Sequence, residues 1–310
     1  MRVLLAGANS YIGTCLIPVL LQKGHDVVCL VRDKDHFKRT STYANAVTII
    51  GGDLLRKQSI EPLPQDIDSA CYLVNKLSQT SEFVALGALS AQNFMEIVSK
   101  TLCRQIITLG DIDNSATTDK ASRLNTENIL KNSGQAVTSL NAATIIGPGS
   151  TALEMFHTLT SKAQVVVPQN WMKTRLQPIA ATDVVCYIEG CLLNEKTFNR
   201  KFDMGGPDIL TFKQMLFIYI AMYKSFKPGI MILPFLTSQL SSHLLNSLAP
   251  VNYAEAKSLI ENLKHDTLCG GADIKEIISL QPLTFKQALR LANEESGTKN
   301  RLDLSLFKLN

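Results

Sequence analysis

The segment that most constrains this chain is its first, where a short apolar strand runs through a glycine-containing turn into a helix. It reads Arg2-Val-Leu-Leu-Ala-Gly7-Ala-Asn-Ser10-Tyr-Ile-Gly13. Gly7 permits a tight turn, and Gly13 permits the helix to pack closely on the strand. Free N–H groups around Ser10–Ile12, together with the helix dipole, suit a pyrophosphate. The turn therefore predicts a dinucleotide site, although a glycine-rich turn that binds nothing has the same pattern.

Ser10 departs from the dinucleotide fingerprint, because a glycine usually stands there and lets the backbone approach the phosphates. A serine is a mild replacement, and its hydroxyl can itself donate to a phosphate. If Ser10 blocks that approach, however, the site is vestigial. The cofactor-binding residues predicted in this turn are Gly7, Asn9, Ser10, Tyr11, Ile12 and Gly13.

Residues 1–150 alternate short apolar runs with longer helical ones. The predicted strands are Arg2–Ala6, Asp26–Val31, Val47–Ile50, Ala70–Val74, Gln105–Leu109 and Ala136–Leu140. The predicted helices are Tyr11–Lys23, Phe83–Leu102 and Leu124–Asn132, with a start signal at Ser81 and end signals at Gly24 and Gly134. Continuous apolar strands that alternate with helices indicate an α/β fold, a Rossmann-type doubly wound parallel sheet.

After Gly147-Pro148-Gly149 the pattern changes, and helical segments dominate. The predicted helices there are Ala152–Thr160, Val184–Leu193, Phe212–Tyr223, Leu236–Leu248, Ala254–Leu263 and Phe285–Asn293. Short strands are predicted at Val165–Val167, Phe202–Met204 and Ile230–Leu233. We expect residues 1–150 to form the nucleotide-binding domain. Residues 151–310 are expected to form a smaller, mostly helical C-terminal lobe that packs on it and is not independent.

The composition argues against nucleic-acid binding, a metal site and a membrane span. The 31 basic and 27 acidic residues give a net charge of only +4, which argues against nucleic acid as a partner. The seven cysteines contain no C-x-x-C pair and no neighbouring histidine, so no metal site is predicted and a reducing compartment is expected. Because no run of about 18 apolar residues exists, we expect no membrane span and a cytoplasmic protein.

The end of the second strand predicts which nucleotide binds. Arg32 follows Gly13 by nineteen residues, and an arginine there accommodates the 2′-phosphate of NADP. Arg32 as a solvated strand-end charge remains an alternative, and the neighbouring Asp33 keeps NAD possible. Further cofactor contacts are predicted at the ends of the third and fourth strands, at Asp53, Leu54, Val74 and Asn75.

These motifs resemble a known family. Gly-Ala-x-x-Tyr-Ile-Gly, Leu-Val-Arg-Asp and Gly-Asp-Leu together are similar to atypical extended short-chain dehydrogenase/reductases of the NmrA-like group. Leu140–Ser150, Thr174–Val184, Phe202–Asp208 and Ser258–Leu263 are similar to the bacterial YbjT type. The resemblance covers nearly the whole chain. It implies an NAD(P)-binding Rossmann lobe followed by a small substrate lobe.

This sequence departs from the pattern of ordinary short-chain dehydrogenases at the catalytic residues. Ordinary short-chain dehydrogenases use a Tyr-x-x-x-Lys pair, in which the tyrosine exchanges a proton with the substrate. Here the lysine position falls on Arg123 and the tyrosine position on Asp119, and no tyrosine occurs between Tyr72 and Tyr187. Arg123 can only hold a ribose or carbonyl by hydrogen bonds. Asp111 or Asp119 is the alternative acid, although both can also be solvated loop residues.

The second lobe supplies a candidate substrate contact. Trp171, the only tryptophan, precedes Arg175, so the two can form an apolar wall and a clamp for a carbonyl or anion. Alternatively, Arg175 pairs with Asp183 or with a helix C-terminus. Thr182-Asp183 before Val184 predicts the cap of the following helix.

Two functions follow from these observations. The first is an NADP-linked oxidoreductase that acts on an apolar quinone, enone or carbonyl compound. The second is a catalytically inactive protein that senses NADP(H) and binds a protein partner, as some NmrA-like proteins do. The missing tyrosine favours the second function, and the apolar C-terminal lobe favours the first. The sequence does not predict an oligomeric state.

Overall fold

The computed structural model describes residues 1–74, 81–112, 118–161, 164–224, 229–233, 260 and 263–297. Its strands are β1 (Arg2–Ala6), β2 (Asp26–Val31), β3 (Thr48–Gly51), β4 (Ser69–Tyr72), β5 (Gln105–Asp111), β6 (Ala136–Ala142), β7 (Ile145–Ile146), β8 (Gln164–Pro168), β9 (Arg175–Leu176), β10 (Ile179–Ala180), β11 (Lys201–Met204), β12 (Leu210–Thr211), β13 (Gly229–Leu233) and β14 (Ala272–Asp273). Its helices are α1 (Tyr11–Gln22), α2 (Lys34–Thr40), α3 (Ser81–Val98), α4 (Thr118–Lys131), α5 (Thr151–Leu159), α6 (Gln169–Lys173), α7 (Ala181–Cys191), α8 (Phe212–Tyr223) and α9 (Phe285–Gly297).

One eight-stranded sheet organises the molecule, in the order β14-β11-β6-β5-β4-β1-β2-β3. Every neighbouring pair in it is parallel. The strand order reverses between β1 and β4, and ligands of such sheets bind at the carboxyl edge beside this reversal. The predicted Rossmann-type fold is thus confirmed.

Alternation along β1 explains why the sheet is covered on both faces. Val3 and Leu5 enter one core with side chains of α1 and α7, whereas Leu4 and Ala6 enter a second core with side chains of α3. All four are fully buried. A strand that is buried on both sides reads as a continuous apolar run, which is why the bounds of β1 and β2 are those predicted.

Two strands of the main sheet come from the second half of the chain. β11 pairs with β6 over Lys201–Met204, and β14 pairs with β11 at the sheet edge. A third core lies in the second half and centres on Phe156, Trp171, Phe212, Tyr219 and Phe285. Among the described residues after 150, more lie in helices than in strands, and β11 and β14 extend the sheet of the first 150 residues.

Most predicted elements are present, with ends displaced by a few residues. The predicted helix Leu124–Asn132 begins earlier, at Thr118, and α2 is an additional helix that the pattern does not predict. The helix predicted at Leu236–Leu248 lies outside the described residues. Only Ile260 and Leu263 are described of the one predicted at Ala254–Leu263.

The predicted helix ends have mixed outcomes. Gly24 and Gly134 adopt positive φ angles of 74° and 84° after α1 and α4, as their end signals predict. The predicted cap at Thr182-Asp183 is wrong, because α7 starts at Ala181 and its N-cap residue is Ala180. β10 leads directly into α7, so no polar residue precedes the helix. Among the described helices, none is long and apolar enough to cross a membrane.

Candidate functional site

The turn after β1 is closed by its own backbone. The Ser10 N–H donates to the Gly7 carbonyl at 2.8 Å, and Gly7 has a φ of 92°, in the left-handed region. A Cβ atom on Gly7 would lie 2.5 Å from the Leu73 carbonyl oxygen, in the segment after β4. A side chain at position 7 therefore has neither the conformation nor the space that it needs. Gly7 brings the turn against the end of β4 at the strand-order reversal.

Ser10 serves as the cap of α1. Its hydroxyl accepts the Gly13 N–H at 3.1 Å, and its φ of −70° is ordinary for any residue. A Cβ on Gly13 would lie 2.3 Å from the Gly7 carbonyl oxygen, so Gly13 is needed for the close packing of α1 on the turn. The N–H of Ile12 has no acceptor within the described ranges. The N-terminus of α1 thus presents a donor to an anion.

Arg32 and Asp33 follow β2, but their side chains differ in availability. Asp33 is the N-cap of α2 and accepts the His36 N–H at 2.8 Å, a bond that lowers the pKa of its carboxyl group. Arg32 is exposed, and its guanidinium makes no hydrogen bond or ion pair with any residue that the structure describes. Since β2 lies beside β1, Arg32 is a free cation next to the Gly7 turn.

A neighbouring lysine is neutralised. Lys34 donates to both carboxylate oxygens of Glu61, at 3.0 and 2.9 Å. Glu61 also accepts the Gly51 N–H at 3.0 Å, and this bond, together with Lys34, lowers the pKa of Glu61. The pair ties α2 to the end of β3. Lys34 is therefore less available to a ligand than Arg32.

The residues predicted after β3 have structural contacts. Asp53 accepts the Leu55 N–H at 3.0 Å, and its own N–H donates to the Ser59 hydroxyl at 2.9 Å. Leu54 is 8% exposed and belongs to the core that contains α3. Its carbonyl accepts the Asn93 amide at 2.7 Å. These hydrogen bonds hold the turn in place. The side chain of Asp53 is more accessible to the adenine base of a nucleotide than the side chain of Leu54.

The remaining predicted cofactor contacts and the predicted catalytic residues lie in the chain between the end of β4 and α4. Val74 is half-buried beside Gly7, and Asp111 is the half-exposed last residue of β5. Asp119 and Arg123 fall on α4 four residues apart, but their side chains are outside the described part of the structure. Asn75 also lies outside the described residues.

Tyr72, at the end of β4, does not replace the missing tyrosine. It is 6% exposed, and its hydroxyl donates to the Ser90 hydroxyl at 3.0 Å. Burial raises the pKa of Tyr72 to about 12. A hydroxyl so placed is poorly suited to exchange a proton at neutral pH.

The structure does not bring Trp171 and Arg175 together as an open substrate contact. Trp171 is fully buried and packs edge-on against Phe212, with ring centroids 5.8 Å apart. Arg175 pairs with Asp266, which accepts the Arg175 backbone N–H at 2.7 Å and the Nε–H at 2.8 Å. Asp183 is therefore not the partner of Arg175. Trp171 and Arg175 thus make contacts within the fold of the C-terminal half.

A cavity of about 560 Å³ lies on the other side of α1, between α2, α9 and the start of α7. It shares only Asn9 and Tyr11 with the predicted cofactor residues. The sequence does not predict this cavity, because its walls come from five separate stretches of chain. No local sequence pattern predicts that these five stretches lie close together.

One family of known proteins matches most of the first half of the chain. Residues 7–150 match a family described as NAD(P)H-binding. The first half is an NAD(P)-binding domain. None of the curated proteins matches this chain significantly.

Solved structures match over nearly the full length of the chain. A nucleoside-diphosphate-sugar epimerase from Staphylococcus aureus is 15% identical, with a TM-score of 0.72 and coverage of 94% of this chain and 100% of that chain. A triphenylmethane reductase from Citrobacter sp., solved with NADP(H), is 14% identical, with the same TM-score and the same coverage. UDP-glucose 4-epimerase from Thermotoga maritima is 13% identical, with a TM-score of 0.69 and coverage of 96% and 99%. At such identities the likeness shows the fold.

Proposed function

We propose that the chain binds NADP(H) at the carboxyl edge of its sheet and acts as an oxidoreductase on an apolar quinone, enone or carbonyl compound. The observation that carries this proposal is the contrast at the end of β2. Asp33, the residue that would bind the ribose of NAD, caps α2, whereas Arg32 is free for a 2′-phosphate.

The surrounding residues fit a dinucleotide. Gly7 leaves room where the turn meets the end of β4, and the Ile12 N–H at the start of α1 is available to a phosphate oxygen. Ser10 retains its hydroxyl proton for donation while its oxygen caps the helix. The cofactor supplies a hydride when it is bound. The fold of the NADP(H)-bound triphenylmethane reductase lends support to this assignment.

The proton must come from a group other than the usual tyrosine. Asp111 is our candidate, because it ends β5 at the same edge of the sheet as the Gly7 turn. Asp119 or water is the alternative donor, and Arg123 would hold a ribose or carbonyl oxygen by hydrogen bonds. Exchange of Asp111 for Asn removes the proton but keeps the size, so turnover should fall while NADPH affinity stays constant.

Calorimetric titration with NADPH and NADH tests the cofactor assignment. NADPH should bind more tightly than NADH, and Arg32→Ala should weaken NADPH about tenfold or more with little change for NADH. The matched control is Lys38→Ala, an exposed cation on α2, which should change affinity by no more than about twofold. Equal affinities of the parent protein for the two nucleotides would sink the assignment of Arg32.

A second function rests on the absence of tyrosine between Tyr72 and Tyr187. We propose as the alternative that the chain senses NADP(H) and binds a protein partner without catalysis. NADPH oxidation should be followed across quinones, enones and aldehydes. Consumption of NADPH favours the enzyme. Tight NADPH binding without consumption, together with a stoichiometric partner that co-purifies only in one redox state of the nucleotide, favours the sensor.

A further inference from the structure

The cavity between α1, α2 and α9 has an unusual lining for a surface site. Although 19% of the residues in the chain are charged, none of its lining residues is Asp, Glu, Lys or Arg. Aromatic rings contribute to its walls, from Tyr11, Phe37 and Tyr43. Its volume of about 560 Å³ is within the range of sites for small organic molecules. A neutral, partly aromatic ligand fits such a lining better than an ion does.

One backbone carbonyl with unmet hydrogen-bonding capacity lies in the wall of the same cavity. In α1, Pro18 has no N–H to donate to the carbonyl of Thr14, four residues earlier. Thr14 and Pro18 both line the cavity, so the cavity offers a hydrogen-bond acceptor at Thr14. Thr182 also lines it, but the Thr182 hydroxyl is inaccessible to solvent and therefore does not reach a ligand there.

The start of α7 does not favour an anion. Asp183 lies in the first turn of α7 and accepts the N–H groups of Ala180 and Leu283, so its carboxylate counters the positive end of the helix. Apart from His36, no residue in the lining can carry a positive charge, so an anionic ligand would meet little compensation. The N–H of a neutral ligand needs only the Thr14 carbonyl.

We propose that this cavity is a second small-molecule site, which binds a neutral aromatic amide between the nucleotide-binding domain and the C-terminal helix α9. The N–H of the ligand donates to the Thr14 carbonyl, and its ring packs against Phe37 and Tyr43. The site includes none of Gly7, Ser10 or Arg32 and shares only Asn9 and Tyr11 with the predicted cofactor residues.

Two matched photoreactive compounds test the proposal. 4-Benzoylbenzamide is neutral and has both a carbonyl and an amide, whereas 4-benzoylbenzoate has the same size and a negative charge. On irradiation the amide should label peptides that contain residues 9–18, 36–43, 146–148 or 288–292, as mapped by mass spectrometry. The benzoate should bind at least about tenfold more weakly. Equal binding of the two compounds, or labelling confined to other peptides, would overturn the proposal.

Three variants place the ligand in the cavity. Thr14→Trp fills the cavity from an exposed helix position and should abolish labelling, whereas Gln22→Trp, on the same helix outside the cavity, should preserve it. Thr182→Val keeps the shape of the side chain and removes a hydroxyl that the ligand does not reach, so the affinity for the amide should change by less than about twofold. Circular dichroism confirms the fold of each variant. NADPH titration in the presence and absence of the amide, with no change expected, separates this site from the proposed cofactor site.

Discussion

Asp183 predicts how the stability of the protein depends on pH. Its side chain is 5% exposed, and Oδ2 accepts the Leu283 N–H at 2.8 Å, which joins α7 to the segment before α9. Burial raises the pKa of Asp183 to about 6, although hydrogen bonds from Leu283 and Ala180 and the charge of Lys275 oppose that rise. Because the folded pKa exceeds the ordinary value of 3.8, ionisation of this carboxyl group favours the unfolded chain.

The magnitude follows from the two pKa values. The contribution of Asp183 to stability is greatest below the unfolded pKa and is lost as pH rises through the folded pKa. Between about pH 4.5 and about pH 7.5 the loss amounts to about 2 kcal/mol. Asn at this position cannot ionise, so Asp183→Asn should gain about 2 kcal/mol relative to the parent protein over that range. Other titrating groups cancel in the difference.

Urea denaturation at several pH values measures this difference. Asp26→Asn is the matched control, because the Asp26 side chain is 77% exposed, and its stability relative to the parent should change by less than about 0.5 kcal/mol. If the difference in the free energy of unfolding between the parent and Asp183→Asn were the same at every pH in this range, the reasoning would be refuted. Such a result would mean that the carboxylate is solvated or fully compensated in the folded state.

Three further predictions concern other contacts. Ser10→Ala should lower the free energy of unfolding by about 1 kcal/mol in urea denaturation through loss of the α1 cap, whereas Ser10→Gly should cost only a few tenths. Gln105→Leu should cost about 3 kcal/mol in urea denaturation, because the Cys191 carbonyl and the Leu193 N–H lose their buried partner. Arg175→Gln should cost less than about 1 kcal/mol, since its pair with Asp266 is exposed, and should leave kcat unchanged; a selective loss of kcat would contradict its structural role.

The local sequence pattern predicts those elements in which consecutive residues are all buried. β1 and β2 consist largely of consecutive apolar residues, so their bounds can be read from the sequence. α2 has seven residues, of which only Phe37 is buried, and no apolar period can be recognised in it. Its local signal is Asp33, which caps the helix. The sequence predicts Asp33 only as a possible ribose ligand, because a carboxylate at a strand end suits a ribose as well as a helix cap.

The contacts that the sequence does not predict join distant segments. Trp171 meets Phe212, and Arg175 meets Asp266, across 41 and 91 residues of chain. Apolar periodicity shows that a face is buried but not which partner covers it. The glycine turn is different, because much of its requirement is local: Gly7 has a φ of 92°, and Gly13 packs against the Gly7 carbonyl. Only the close approach of Gly7 to the end of β4 involves a distant segment.

The pairing of β11 with β6 has a consequence for synthesis on the ribosome. When the first 150 residues have emerged, β6 is complete but its outer edge has no neighbour until Lys201–Met204 follow. Such an edge, with buried Leu140 and Asn141 at its centre, is a template for pairing between nascent chains. Expression of residues 1–150 alone should therefore give aggregates, and addition of residues 151–204 should relieve this only where β11 reaches its place beside β6.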